Sequence, residues 1–122
     1  MKAAIIHETD AVVAFLDILP RAPGHTVMVP KAHVGSILEL DDAAIQALFT
    51  AVRDVERKLV ERLDVPSFTV GINQGSASGQ IVEHLHVHII PRFPGDGGGS
   101  IRSVINNPPH ESLEDIYTKI TS

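Results

Sequence analysis

Cysteine is absent from the 122-residue chain, and with it go disulfides, thiolate zinc sites, iron–sulfur clusters and a thiol nucleophile. Any metal would have to be held by His, Asp or Glu. Tryptophan is also missing, and one tyrosine beside four phenylalanines leaves little for stacking the bases of a single strand. Positive charge is short as well. Ten Lys and Arg face fifteen Asp and Glu, a formal net charge of −5 that opposes a nucleic-acid polymer as partner. A small phosphate ligand stays compatible with that balance, because one site can supply backbone N–H groups and imidazoles locally. Long apolar runs are lacking too: the longest, Ala11 to Leu16, falls far short of the ~20 residues of a membrane span. No basic segment followed by an apolar one opens the chain. The expectation is a cytoplasmic protein with no membrane partner.

What is present suffices for one domain, since about 150 residues is an ordinary domain length and 43% of these residues are hydrophobic. Ala3 to His7 and Ala11 to Asp17 are apolar or β-branched runs around Glu8-Thr9-Asp10, the pattern of a hairpin. Pro23-Gly24 suits the centre of a type II turn leading into a third strand, Thr26 to Val29. From Asp41 to Leu63, apolar residues (Ile45, Leu48, Phe49, Val52, Val55, Leu59) recur every three or four positions. This predicts one long amphipathic helix, with Asp41 as its N-cap and Pro66 just beyond its end. Phe68 to Ile72 reads as a fourth strand, Asn73 to Gly79 as a loop, and Ile81 to Ile90 as a fifth strand ended by Pro91. A glycine-rich link from Gly95 to Ser100 precedes a short terminal helix (Leu113, Ile116, Tyr117, Ile120) whose start Pro108-Pro109 should set.

Seven histidines are many for this length, and His84, His86 and His88 fall at a spacing of two. On a strand such residues share one face while Leu85, Val87 and Ile89 share the other. Water-facing polar residues need not all be imidazoles. A metal is the natural rival, yet alternate strand residues lie about 6.6 Å apart and the outer pair about 13 Å apart, whereas each nitrogen must approach a metal to ~2.0–2.1 Å. The leading reading is catalytic: one imidazole attacks while its neighbours hold phosphate oxygens and set its tautomer.

The segment His84-Leu85-His86-Val87-His88-Ile89-Ile90 resembles the signature of the histidine triad (HIT) nucleotide-binding superfamily. The likeness extends to Ala14-Phe15-Leu16-Asp17-Ile18, Pro20, Ala22-Pro23-Gly24-His25-Thr26, Val29-Pro30-Lys31, His33, Asn73, Gly75, Gly79-Gln80 and Pro91-Arg92. It implies an α+β fold: a HIT-like antiparallel five-stranded sheet with one long helix and a short C-terminal helix. The HIT domain would occupy residues 1–95, and a glycine-rich link and tail, 96–122, would pack on it.

The resemblance further implies a nucleotide hydrolase or nucleotidyl transferase cleaving at the α-phosphate of (di)nucleoside polyphosphates or related conjugates through a nucleotidyl-histidine intermediate. By position, His86 is the nucleophile, His88 meets the phosphate and bridging oxygen, and His84 with His25 forms a buried supporting network. Asp17 would clamp the ribose hydroxyls, Phe15 and Ile18 would line the base pocket, and Asn73, Gly79 and Gln80 would bind near the phosphate. Many members place Ser or Thr near the leaving group where this chain has Ile81, which cannot donate a proton. Many also bind structural zinc through an N-terminal cysteine pair that this chain lacks, so no metal is expected. No cofactor is required, although a divalent cation such as Mg is compatible with the substrate's phosphates. The implied partners are a purine nucleotide and a second copy of the chain in a homodimer. The alternatives are a nucleotide-binding regulatory or scaffold protein with negligible turnover, and a metal-dependent hydrolase. Arg92, Lys31, His33 and His7 are expected to be surface or packing residues.

Overall fold

The computed structural model describes residues 3–122. Strands β1 (Ile5–Glu8), β2 (Val12–Leu16) and β3 (Thr26–Pro30) precede helix α1 (Asp42–Leu63); β4 (Ser67–Ile72), β5 (Val87–Arg92) and helix α2 (Leu113–Thr121) follow. The five strands form one antiparallel sheet in the order β1-β2-β3-β5-β4, as the α+β expectation requires. Because α1 lies between β3 and β4, β5 can insert beside β3 and place its histidine segment at the sheet's centre.

The local signals act as read. Asp41 Oδ accepts from the Ala44 N–H at 2.8 Å, capping α1. Gly24 at φ +88° occupies the left-handed position of a turn closed by the His25 N–H on the Ala22 carbonyl at 3.1 Å. That turn aims His25 inward. One face of α1 (Leu48, Val52, Val55, Leu59) covers Val12, Ala14, Met28, Val87 and Ile89, which are all buried. Phe49 and Leu63, although on the periodic stripe, stay half exposed.

Two expectations need correction. The fifth strand begins at Val87 and not Ile81, and it runs through Pro91 to Arg92. Upstream of Val87 the backbone is drawn off the sheet: Leu85 N–H donates to the Val34 carbonyl at 2.7 Å. At the other end, β3 pairs with β5 only as far as Ile89, so Pro91, which lacks an N–H, needs only β4 as a partner. The terminal helix is started by Ser112, whose hydroxyl accepts from Asp115 N–H at 3.1 Å, and not by Pro108-Pro109. Leu113, Tyr117 and Ile120 of α2 are all exposed.

Candidate active site

Burial alternates through the histidine segment even ahead of the strand: Leu85, Val87 and Ile89 are fully buried, and His84, His86 and His88 are half-buried on the opposite side. His88 sits in the middle of the sheet, opposite Val27 on β3 and Gly71 on β4. A Cβ at Gly71 would meet nothing within 4 Å, so the space beside His88 is open.

The hydrogen-bond partners assign each ring's proton. His84 Nε2–H donates to the Pro30 carbonyl at 2.8 Å. His86 Nδ1–H donates to the carbonyl of His84 at 3.0 Å, which leaves the lone pair on Nε2. His25, 3% exposed, accepts on Nδ1 from the Arg21 N–H at 3.1 Å, so its proton is on Nε2. That nitrogen lies 3.0 Å from His88 Nδ1, which accepts and leaves His88 with its proton on Nε2. Asp17 stands behind the pair, with Oδ2 3.6 Å from His25 Nε2 and Oδ1 accepting from Leu19 N–H at 2.9 Å. Burial pushes His25 below the ordinary histidine pKa against the pull of Asp17, with Arg21 adding to the fall. Burial also lowers His88, helped by His86 and His25 and opposed by Asp17. Both rings are neutral at neutral pH.

Asp17, His25 and His88 each offer one ligand atom within 4.8 Å of the others, a spacing that suits a metal. The proton pattern does not. An imidazole ligating through Nε2 carries its proton on Nδ1, where His25 would meet the Arg21 N–H donor.

These four histidines are thus brought together with Asp17. The HIT domain family model matches residues 1–95. The chain belongs to the HIT family. A crystal structure of a HIT family member from Bacillus subtilis superposes with a TM-score of 0.83 at 31% identity, over 99% of this chain and 87% of that one. The bis(5'-nucleosyl)-tetraphosphatase (asymmetrical) of Schizosaccharomyces pombe is 34% identical over 92 residues, 75% of this chain and 50% of that protein. An adenylylsulfatase of Arabidopsis thaliana is 32% identical over 87 residues, 71% of this chain and 44% of that protein.

The remaining expected site residues of this HIT protein fall differently. Phe15 is half-buried on β2 and Ile18 is 77% exposed at its end. Asn73 is half-buried just past β4. Gly79 takes φ +94° and Ile81 is 94% exposed. Gln80 does not hold out its amide: Oε1 accepts from Gly75 N–H at 2.7 Å and Nε2 donates to the Gly35 carbonyl at 3.1 Å. It braces the loop, and Gln74 does the same, its Oε1 accepting from Ser36 Oγ and Ile37 N–H, each at 2.8 Å. Gly35 is part of this brace, because a Cβ there would stand 2.7 Å from the Glu83 carbonyl. Gln74, Gly35 and Ser36 carry no sequence signal beyond lying in polar loops.

Arg92 is engaged by the fold on several sides. It pairs in two places with Asp96 (2.7 and 3.1 Å) and donates to Thr69 Oγ1 at 3.0 Å and Gly99 O at 2.6 Å. Its guanidinium, with two backbone amides, holds the Asp96 carboxyl well below the usual carboxylate range. His33 stacks edge-on against His84, ring centroids 5.3 Å apart, and Lys31 pairs with Glu8 at 2.8 Å. His7 Nδ1 lies 3.5 Å from Lys58 Nζ.

Proposed function

We propose that this HIT protein is a nucleotide hydrolase or nucleotidyl transferase that works through a nucleotidyl-His86 intermediate on the α-phosphate of a purine nucleotide conjugate. The carrying observation is the proton assignment of His86: Nδ1–H is held by a backbone carbonyl, so Nε2 attacks without first losing a proton. The same carbonyl then faces the positive charge that develops on the ring. His88, with Nε2–H as its only proton, donates to a phosphate oxygen or to the departing oxygen. Asp17 Oδ2 is the carboxylate oxygen for a ribose hydroxyl, since Oδ1 already accepts from Leu19. Two relatives whose names give an activity, a bis(5'-nucleosyl)-tetraphosphatase and an adenylylsulfatase, agree with this reading.

A second copy of the chain is the proposed partner. It would cover β4, which is an edge strand, and the adjoining groove of about 490 Å³ where Phe49, Val52 and Val60 of α1 meet Phe68. Light scattering at micromolar concentration should give the mass of a dimer; a monomer would contradict it.

Rapid quenching during turnover, followed by intact-protein mass spectrometry, should show one added nucleotidyl group that maps to His86. Binding of nucleotide with no adduct and no turnover would favour a regulatory or scaffold role. Activity abolished by a chelator and restored only by zinc would favour a metal-dependent hydrolase.

A further inference from the structure

A glycine inside a strand loses more backbone freedom on folding than any other residue and brings no side chain to pack, so its presence there calls for a reason. Gly24 and Gly35 have theirs: the first takes φ +88°, and a Cβ on the second would stand 2.7 Å from the Glu83 carbonyl. Gly71, within β4, has neither. Its φ lies outside the left-handed region, and a Cβ built on it meets nothing within 4 Å. The β4–β5 ladder runs in unbroken register from Ser67 opposite Arg92 to Ile72 opposite Val87, so no bulge asks for a glycine either. What the fold does not require, the close approach of a ligand does.

Its place in the sheet says which part of a ligand. Gly71 stands directly opposite His88, and Thr69 opposite Ile90, so both lie on the histidine side, while Phe68, Val70 and Ile72 pack against the core on the other. Thr69 Oγ1 accepts from Arg92 at 3.0 Å, which fills the neighbouring position on that face. Gly71 is thus a gap between His88 and the outer edge of the sheet. The strands beside β5 divide the face: β3 and then β2 lie to one side, and β4 alone lies to the other. Asp17, the proposed ribose carboxylate, is just past the end of β2. A nucleotide held there, with its α-phosphate at His86 and His88, has its far end on the β4 side, over Gly71.

We infer that Gly71 is a specificity-determining position: the side chain it lacks is the clearance through which the group beyond the scissile bond passes toward the β4 edge. This rests on the reading of Asp17 and His86 given above. A sulfate ends close to the α-phosphorus, whereas a phosphate chain that bears a second nucleoside continues across β4. A methyl at Gly71 narrows the way for the longer and broader group far more than for the compact one. The residue at this position therefore sets how broad a leaving group the site admits, without touching the nucleophile or the ribose carboxylate.

The test compares kcat/KM for adenylyl sulfate and for bis(5'-adenosyl) tetraphosphate in wild type, Gly71→Ala and Gly71→Val. The ratio of tetraphosphate to sulfate should fall about tenfold with Ala, the low end of what one methyl is worth in a binding pocket, and further with Val. An unchanged ratio, with both substrates losing equally, would place the gap at the α-phosphate and overturn the inference. Urea unfolding separates a ligand's clearance from a structural need: the midpoint should rise with Gly71→Ala, because the unfolded chain loses freedom and the strand keeps its geometry. A lowered midpoint would show that the fold itself requires the glycine. Light scattering should give the same mass for all three proteins, and a changed mass would assign the space to a second copy of the chain. Binding is also read without turnover, by calorimetric titration of both compounds into His86→Asn with and without Gly71→Ala, where affinity for the tetraphosphate should fall relative to the sulfate by a similar factor. If wild type turns over neither compound, the proposed function fails, and the titration still decides the clearance.

Discussion

Residues 84–92 and residues 101–121 are both rich in apolar side chains, yet the chain treats them in opposite ways. In the first stretch Leu85, Val87 and Ile89 are fully buried, and His84, His86 and His88 each have a ring nitrogen hydrogen-bonded to a partner in the fold. In the second, Ile101, Val104, Ile105, Leu113, Tyr117 and Ile120 are all at least 61% exposed. This arm is tied to the sheet near its root by the Arg92–Asp96 pair and the Arg92 bond to Gly99. The difference teaches where precision is required. Orienting an imidazole to within about half an ångström needs a packed apolar backing on the other side of the same backbone, and the exposed apolar side chains of the arm have no such backing.

Substitutions should sharpen that contrast. His86→Asn is expected to reduce kcat at least a hundredfold, about 2.7 kcal/mol of transition-state stabilisation, with folding and nucleotide affinity retained. Steady-state kinetics beside a nucleotide titration checks it, and activity above a hundredth of wild type removes His86 from its role. Leu85→Ala, on the buried side of the same segment, should cost about 2–5 kcal/mol in urea unfolding. The pH dependence of stability should follow the same stretch. His25 and His88 are held below their unfolded pKa of about 6.5, so below that pH the unfolded chain binds more protons than the folded one. Their contribution is thus complete above about pH 6.5 and is lost as pH falls toward the folded values. Thermal unfolding between about pH 8 and pH 5 measures this; a flat profile in a His25→Ala, His88→Ala double variant would assign it to the pair. Arg92→Ala should loosen the arm and leave the sheet intact, seen as faster amide exchange over residues 96–100 with protection of β5 retained. Leu113→Ala should be the smallest, within about 0.5 kcal/mol for an isolated chain.

Legibility in the sequence followed the range of the interactions concerned. Helix α1 and its Asp41 cap, and the Pro23-Gly24 turn, depend on residues within four positions of one another, and the expected bounds agree with the structure. The alternation through the histidines was equally local. The start of β5 was not, because it is decided by the Pro30 and Val34 carbonyls, which lie some fifty residues earlier and capture His84 and Leu85. The bonds of Gln80 were hidden for the same reason: an amide beside a glycine-rich loop gives no sign in sequence that Gly35 and Gly75 engage it. His25 was found through the family likeness alone, since a single histidine after a turn carries no chemical signal of its own.

The bonds that orient the cluster and brace its loop span long stretches of chain: 45 residues from Gln80 to Gly35, 54 from His84 to Pro30 and 63 from His25 to His88. Helix α1 can nucleate by itself, but these contacts wait until β5 has threaded between β3 and β4 and the cost of closing such loops has been met. The competent histidine arrangement is therefore a late product of folding. In a refolding time course, helical signal should rise ahead of any capacity to form a nucleotidyl adduct, and a nascent chain that has not yet released residue 88 holds no site at all.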